Sequence, residues 1–251
     1  MPVPGGSPVK RSTLRQQIAD ALCDEVLAGR LPAGKQFTVK EMAEQYGVSA
    51  TPVREALIDL CSQGLLDVEE HRGFRVHEFT HDDFRAMVEA RSLIVEGIFR
   101  RSAAERVSGF PAQALAAVRR RAEEAERAAR SGDLDILIGY DLRFWRELTG
   151  LVGNPYISDF LQRVRVQSWV FVVPYLRRMD DLAGVLWADH GRLTDAVTRA
   201  DADEAERIIA EYNAHSLTLV SRLANGEDDA PRPAPDGGPG GADNPRAEAG
   251  S

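Results

Sequence analysis

The segment from Val48 to Leu57 reads VSATPVREAL and carries two sets of side chains at helical spacing. Val53, Leu57 and Leu60 repeat on one face, which predicts a buried seam. A different face carries small, hydroxyl and cationic side chains: Ala50, Thr51 and Arg54. In the first turn of a helix, such side chains can approach base edges and phosphates in a DNA groove. The segment therefore predicts a DNA recognition helix.

Three polar residues stand where helical spacing predicts apolar side chains: Arg91, Asp141 and His190. Each interrupts an apolar stripe on a different predicted helix. Because a buried polar group costs free energy unless it is paired, three of them on inward faces predict a polar pocket inside a helical bundle. The alternative is an internal salt bridge among Arg91, Asp141 and Glu96 that holds no ligand.

The recognition segment needs other helices to support it. Thr38 and Glu41 have the spacing of a capping box, in which the hydroxyl and the carboxylate cover backbone N–H groups at a helix start. Gly47 separates this helix from the next and supplies the positive φ of a tight turn between helices. An earlier helix is predicted to begin after Ser12, its N-cap, and to end near Gly29.

Beyond these helices the sequence pattern changes twice. Two short extended segments, 65 to 68 and 74 to 76, flank a polar turn and predict a β-hairpin, or wing. From about Thr80 onward apolar residues recur only at helical spacing, which predicts six to seven antiparallel helices. The last of these are a long helix from Asn154 through Tyr175 and helices near 182 to 200 and 202 to 223. The expected fold is mainly α, with a winged helix-turn-helix followed by an all-α bundle.

This pattern divides the chain into four regions. We expect a flexible lead at 1 to 11, a winged helix-turn-helix domain that binds DNA at 12 to 78, a helical domain at 80 to 224, and a disordered tail at 225 to 251. The tail contains five Pro and six Gly and is acidic, with few apolar residues. In the lead, Lys10 and Arg11 are placed to touch phosphate.

Composition excludes several classes of protein. The chain has 251 residues, of which 43% are hydrophobic, which is enough for ordinary packed cores. No run of about 18 apolar residues appears, so neither a membrane span nor a membrane partner is expected, and the N-terminal segment lacks the apolar core of a secretion signal. Cys23 and Cys61 lie among apolar residues and are expected to be buried thiols in a cytoplasmic protein.

The net charge of −8 is unevenly distributed. Residues 1 to 54 carry seven Lys or Arg against five Asp or Glu, whereas 225 to 251 carry two against six. DNA binding needs a local cationic face, and an acidic total does not exclude one.

Taken together, these residues resemble the GntR family of bacterial transcription regulators, in its FadR-like branch with an FCD effector domain. In the first domain the resemblance rests on Gly34, the VSATPVREAL block, Gly64-Leu65 and Arg72-Gly73. In the second it rests on Arg91, Glu96, Gly153-Asn154, His190, Ala196 and Asp201. The resemblance implies a homodimer that binds a palindromic operator in double-stranded DNA, with an affinity that a small-molecule effector changes. It also implies that the helical domain at 80 to 224 serves effector binding and dimerisation.

The resemblance also implies six DNA contacts: Lys40, Ser49, Thr51, Arg54, Arg72 and Gly73. Lys40 and Arg54 would fix the register on phosphate or read guanine, and the wing glycine would let the backbone approach the minor groove. Ala50 departs from the family, which usually has an Arg here that contacts guanine in a bidentate pair of about 1 to 3 kcal/mol. Alternatively, Lys40 is a solvated surface residue and Arg54 pairs with Glu55 or Asp59.

In the helical domain, the resemblance bears on a metal site. Many FCD domains bind a divalent metal through an Asp, a His four residues later and two further His. This sequence keeps Asp141 and His190, but Trp145 and Tyr212 stand at the other two positions, and His215 lies one turn beyond. Since one Asp and one His rarely hold zinc or nickel, we expect no metal and no other cofactor, with Asp141, His190 and His215 as residual candidates.

We expect an aromatic-lined effector pocket in place of the metal. Its predicted residues are Arg91, Asp141, Trp145, His190 and Tyr212, with Arg91 as a clamp for a carboxylate or phosphate on the effector. The alternative for Trp145 and Tyr212 is plain core packing.

The expected function is a ligand-responsive transcriptional regulator, most often a repressor in this family. The sequence has no Gly-rich phosphate loop, no HExxH and no Ser/His/Asp set, so an enzyme is not expected. Two alternatives are a constitutive DNA-binding dimer without an effector and a metal-dependent FCD sensor.

Overall fold

The computed structural model describes residues 14–105 and 110–224, and of residues 101–105 it describes the backbone only. Ser12, the lead at 1 to 11 and the tail at 225 to 251 lie outside the described residues. The described part of the chain is mainly helical, which confirms the predicted fold class.

The first part of the chain folds as a helix-turn-helix followed by a wing. Its elements are α1 (Leu14–Leu27), β1 (Gln36–Phe37), α2 (Val39–Tyr46), α3 (Ala50–Ser62), β2 (Leu66–Glu69) and β3 (Gly73–Val76). β3 lies between β1 and β2 and pairs antiparallel with both. The sequence predicts the β2–β3 hairpin but not β1, because a strand of two residues is too short to show a period.

The turn between α2 and α3 is built as the sequence predicts. The Thr38 hydroxyl accepts a hydrogen bond from the Glu41 backbone N–H at 3.2 Å, and the Glu41 carboxylate accepts one from the Thr38 backbone N–H at 2.7 Å. Gly47 ends α2 with a φ of 64°, in the left-handed region. In α3, Val53 and Leu57 are completely buried, which anchors the helix and leaves its opposite face free.

The second part of the chain is a helical bundle. Its helices are α4 (His81–Glu105), α5 (Ala112–Ser131), α6 (Leu134–Gly150), α7 (Pro155–Leu176), α8 (His190–Thr198) and α9 (Ala202–Ala224). The main pairings are α5 with α6 and α8, α4 with α9, α6 with α7, and α8 with α9. Asn154, the N-cap of α7, accepts hydrogen bonds from two backbone N–H groups, which fixes where that helix begins.

The predicted helix near 182 to 200 is wrong in its first half, because α8 begins only at His190. Residues 182–189 form an irregular turn instead. Gly184 adopts a φ of 77°, which a helix does not allow, and the Asp181 carboxylate accepts a hydrogen bond from the Ala183 backbone N–H. His190 is therefore placed by a helix start rather than by a helix interior.

The two parts of the chain share a packed contact. α1 packs against α7, and one apolar cluster runs from the helix-turn-helix into the bundle. Gln63 is the C-cap residue of α3. Gln167 on α7 donates a hydrogen bond of 2.7 Å to the backbone carbonyl of Gln63. None of the helices in the described ranges is long and apolar enough to cross a membrane.

Candidate functional sites

An open groove of about 380 Å³ runs between α2 and α3. Its lining residues are Val39, Lys40, Ala43, Glu44, Gly47, Val48, Ala50 and Arg54. The structure leaves five of the six predicted DNA contacts exposed: Lys40, Ser49, Thr51, Arg54 and Arg72. It therefore brings Lys40 and Arg54 to the rim of one groove, with the first turn of α3 beside it.

The two cationic side chains of this groove, Lys40 and Arg54, make at most one weak ion pair within the described residues. Arg54 makes no ion pair in that part of the chain, so the alternatives in which it pairs with Glu55 or Asp59 are wrong. Asp59 instead contacts Arg15 at 3.0 Å. Lys40 Nζ lies 3.8 Å from a Glu44 carboxylate oxygen, an exposed pair that contributes little to stability. Both cations can therefore turn to an anionic partner at little cost.

Ser49 is the N-cap of α3, but its side chain makes no capping hydrogen bond. The first N–H groups of a helix have no partner within the helix, and together with the helix dipole they favour anions. The Ser49 hydroxyl and these N–H groups together form a site that suits a phosphate of the DNA backbone.

The wing places Arg72 and Gly73 next to each other for different reasons. Arg72 is exposed at the hairpin turn, beside His71, which adopts a φ of 62°. Gly73 has a φ of 101°, and a Cβ there would lie 2.5 Å from the backbone oxygen of Phe37. Gly73 is thus required by the close approach of β1 and β3, whether or not the wing touches DNA.

A second candidate site is a cavity of about 70 Å³ inside the bundle. It is lined from α4, α6, α7, α9 and the segment that ends at His190. The three residues that helical spacing singles out are all buried around it, with exposures of 4% for Arg91, 2% for Asp141 and 1% for His190. The structure therefore brings these three residues together around one cavity.

The Asp141 carboxylate is contacted by four polar side chains at this cavity. One oxygen accepts hydrogen bonds from Trp145 Nε1 at 2.9 Å and from His190 Nε2 at 3.1 Å. The other accepts one from Trp169 Nε1 at 2.7 Å and lies 3.8 Å from the Arg165 guanidinium. Burial alone would raise the pKa of Asp141, but the bond from His190 and the charge of Arg165 outweigh it and hold the pKa below its usual range.

Arg91 is held by a different set of contacts. Its Nε donates to Asn213 Oδ1 at 2.8 Å, and its guanidinium lies 4.8 Å from the centre of the Tyr212 ring. Burial lowers the pKa of Arg91 to about 10, which still leaves it charged at neutral pH. The alternative of a salt bridge among Arg91, Asp141 and Glu96 is wrong, since Glu96 pairs with Arg100 on its own helix.

Arg165 links the cavity to the aromatic residues. Its guanidinium lies 4.0 Å from the centre of the Trp145 ring and donates a hydrogen bond of 2.6 Å to the Tyr212 hydroxyl. Trp145 does not line the larger cavity. It lines a smaller one of about 30 Å³ on the other side of Arg91, Arg165 and Tyr212. Both aromatic residues therefore pack against cations as well as against the core.

The sequence reasoning missed several residues of this site: Arg165, Trp169, Trp187 and Asn213. Arg165 carries the same signal that identifies Arg91. It follows Leu161 by four residues on a buried face of α7, where an apolar side chain is expected.

Four buried nitrogens at the cavity have no hydrogen-bond partner within the described part of the chain: Arg91 Nη2, Trp187 Nε1, His190 Nδ1 and His215 Nε2. The first two can only donate, and an imidazole nitrogen can donate or accept. Unpartnered buried donors are rare in folded proteins and suggest a missing acceptor.

Two protein-family models match this chain. Residues 14–76 match the family model described as bacterial regulatory proteins of the gntR family, and residues 86–215 match the FCD domain. The chain belongs to the GntR family and carries an FCD domain.

Individual proteins similar to this GntR regulator are also named as transcriptional regulators. It is 32% identical to the HTH-type transcriptional regulator Mb0601 of Mycobacterium bovis, over 80% of this chain and 88% of that protein. It is 28% identical to a probable D-xylose utilization operon transcriptional repressor of Paenarthrobacter nicotinovorans, over 88% of this chain and 94% of that protein. The solved structure of E. coli McbR/YncC has the same fold, with a TM-score of 0.67 at 22% identity over 86% of this chain and 99% of that one.

The metal site that the FCD resemblance implies does not fit the residues of this GntR regulator. Trp145 points its indole N–H at Asp141 from a position where the family has a ligand, and Tyr212 bonds to Arg165. Asp141 already accepts three hydrogen bonds. In the described ranges, no three His, Cys, Asp or Glu side chains group closely enough to hold a metal ion. His215 lines the same cavity but does not complete a set.

Proposed function

We propose that this GntR regulator binds a palindromic operator as a homodimer in the cytoplasm, and that a small anionic metabolite in the bundle cavity controls its affinity for DNA. The regulator acts by binding and not by catalysis. The proposed effect on transcription is repression. The Paenarthrobacter relative is itself named as a probable transcriptional repressor.

The charge of the cavity is the observation that carries the proposal. Arg91 and Arg165 face one carboxylate, Asp141, so the ionised site has an excess of positive charge. Arg91 Nη2 and Trp187 Nε1 are buried donors without an acceptor in the described chain. A carboxylate or phosphate on the effector would supply both the missing charge and the missing acceptors.

The size of the cavity limits the effector. At about 70 Å³ it is far below the roughly 300 to 1,000 Å³ of pockets for drug-sized ligands. A small organic acid or inorganic anion is therefore favoured over a large acyl thioester. The aromatic residues Trp169 and Trp187 line the same space and would contact the carbon skeleton of such an acid.

Helix α7 offers a physical route from the cavity to DNA. It contributes Arg165 and Trp169 to the cavity, and between them Gln167 bonds to the end of α3 at Gln63. An effector that draws Arg165 inward would shift α7 against α3. The fraction of dimers whose two recognition helices match successive major grooves would then change, which is a population shift.

A thermal-unfolding screen tests the effector. We expect one class of small acids to stabilise the protein by about 2.7 kcal/mol at a concentration of 100 Kd, while their neutral amides do not. Arg91→Gln should lose this response yet still bind DNA, and the exposed control Arg119→Gln should keep it. A constitutive DNA binder would respond to no acid, and equal stabilisation by acids and amides would reject an anion site.

Selection of bound sequences from random duplexes tests the operator. A dimer should enrich an inverted repeat, and its affinity should fall steeply with salt because phosphate contacts release counterions. Arg54→Ala should bind much more weakly than wild type. Enrichment of a single half-site by a monomeric protein would contradict the homodimer.

A further inference from the structure

Ala50 is the first residue of the recognition helix α3, and it lines the open groove between α2 and α3. The apolar part of that groove consists of Val39, Ala43, Val48 and Ala50. Ala50 is exposed, so its methyl group is available to whatever enters the groove. An apolar surface at the start of a recognition helix is best covered by an apolar group of the DNA, because contact between the two removes both from water.

The charges around the groove decide which part of DNA fits there. Lys40 and Arg54 stand on its rim, and within the described residues Arg54 is unpaired. The Glu44 carboxylate also lines the groove, 3.8 Å from Lys40 Nζ, and would repel a phosphate inside it. Phosphates are therefore expected at the cationic rim, and a base edge at the apolar floor.

Only one base offers an apolar group in the major groove. Thymine carries a 5-methyl group there, whereas adenine, guanine and cytosine present hydrogen-bond donors and acceptors alone. An alanine methyl cannot satisfy those polar groups, so a cytosine or a purine at this place would lose water without gaining a partner.

We propose that the groove around Ala50 selects thymine at one position of each half-site, with the thymine methyl packed on Ala50 and Val48. Lys40 and Arg54 contact the phosphates on either side. This inference rests on the proposed binding of α3 to an operator, and it assigns to Ala50 a part in sequence reading.

Replacement of thymine by deoxyuridine tests the proposal, because it removes the methyl group and keeps base pairing. The operator is the duplex enriched by the full-length protein, and each thymine is replaced in turn. We expect one thymine per half-site to lose about fourfold in affinity, the effect of about 0.8 kcal/mol for one buried carbon group. The other thymines should change affinity by less than about twofold.

Two variants connect this effect to Ala50. Ala50→Gly removes the methyl on the protein side and leaves Val48 as the remaining apolar contact, so the fourfold ratio between the thymine and deoxyuridine duplexes should fall below about twofold. Ala112→Gly is the matched control, because Ala112 is also exposed and also begins a helix, α5. This control should keep the fourfold ratio of wild type.

Two results would overturn the inference: a wild-type protein indifferent to every methyl group, or an Ala50→Gly variant with the wild-type ratio. Either can occur while the protein still enriches a specific sequence, so the operator proposal would survive. A protein that enriches no sequence would reject both.

Discussion

Replacing Asp141 by Asn should destabilise the bundle although the two side chains have the same shape. The Asp141 carboxylate accepts hydrogen bonds from Trp145, Trp169 and His190, divided between its two oxygens. An amide has one acceptor oxygen, so in either orientation its NH₂ group faces at least one of these donors. Within the described residues, Asp141 is the one carboxylate that pairs with Arg165, at 3.8 Å, and the substitution removes its charge.

These contacts determine how much the free energy of unfolding should fall. A hydrogen bond to a charged group contributes about 1.5 to 3 kcal/mol, and loss of one partner of a buried ion pair costs about 3 to 5 kcal/mol. The two costs overlap because Arg165 and the indoles share one carboxylate. We therefore expect the free energy of unfolding to fall by about 3 to 5 kcal/mol in Asp141→Asn at pH 7.

Urea denaturation followed by tryptophan fluorescence measures this loss. The chain has three Trp residues, Trp145, Trp169 and Trp187, and all lie at the two cavities, so the signal reports the bundle. Asp195→Asn is the control, because Asp195 pairs with Arg119 at the surface and should cost less than about 1 kcal/mol.

The pH dependence of stability has a definite sign. The pKa of Asp141 is below its ordinary value of 3.8 in the folded protein, so its carboxylate stabilises the fold above pH 3.8. That contribution is lost as pH falls through the lower folded pKa. The gap between wild type and Asp141→Asn should be constant from pH 5 to 8 and narrow below about pH 3.8. A gap under 1 kcal/mol at pH 7, or one that widens in acid, would refute the reasoning.

Three further predictions concern zinc binding by a double variant, the reactivity of the Cys23 thiol, and the coupling between anion binding and operator affinity. Trp145→His combined with Tyr212→His should bind about one zinc per chain by elemental analysis, because it adds two imidazoles to the residual ligands, whereas wild type should bind none. In a Cys61→Ser background, Cys23 should react slowly with a thiol reagent at pH 8 until urea unfolds the protein, since burial raises the pKa of Cys23 to about 12. Gln167→Ala removes one exposed hydrogen bond and should change stability by less than about 1.5 kcal/mol, yet weaken the effect of the anion on operator affinity. Unchanged coupling in that variant would exclude this contact as the route.

The sequence predicts which residues are buried better than it predicts their partners. Helical spacing alone places Arg91 and Asp141 inside the bundle, and the structure confirms this. It does not predict that Arg91 bonds to Asn213, 122 positions away, because that contact depends on how α4 packs on α9. The same limit explains the incorrect salt bridge from Arg91 to Asp141.

The position of His190 shows a second limit. Apolar spacing around Leu186 and Leu193 suggests one helix through this region, but Gly184 adopts a left-handed φ and α8 starts late. Hydrophobic period identifies which residues face the core, and an irregular turn can bury the same residues as a helix. His190 is therefore predicted correctly as buried, from a helix that is only half present.

The contacts of Asp141 show how a charged carboxylate is stabilised in the core by side chains alone. A cation in the FCD arrangement would hold such a carboxylate; here the indole N–H groups of Trp145 and Trp169 and the charge of Arg165 do so. This leaves Arg91, with a pKa of about 10 and an unpartnered Nη2, as a second buried cation. A buried charge without a counterion is costly, and an anion that fills the cavity removes that cost. Under the proposed function, an anionic effector would therefore gain affinity by pairing with Arg91.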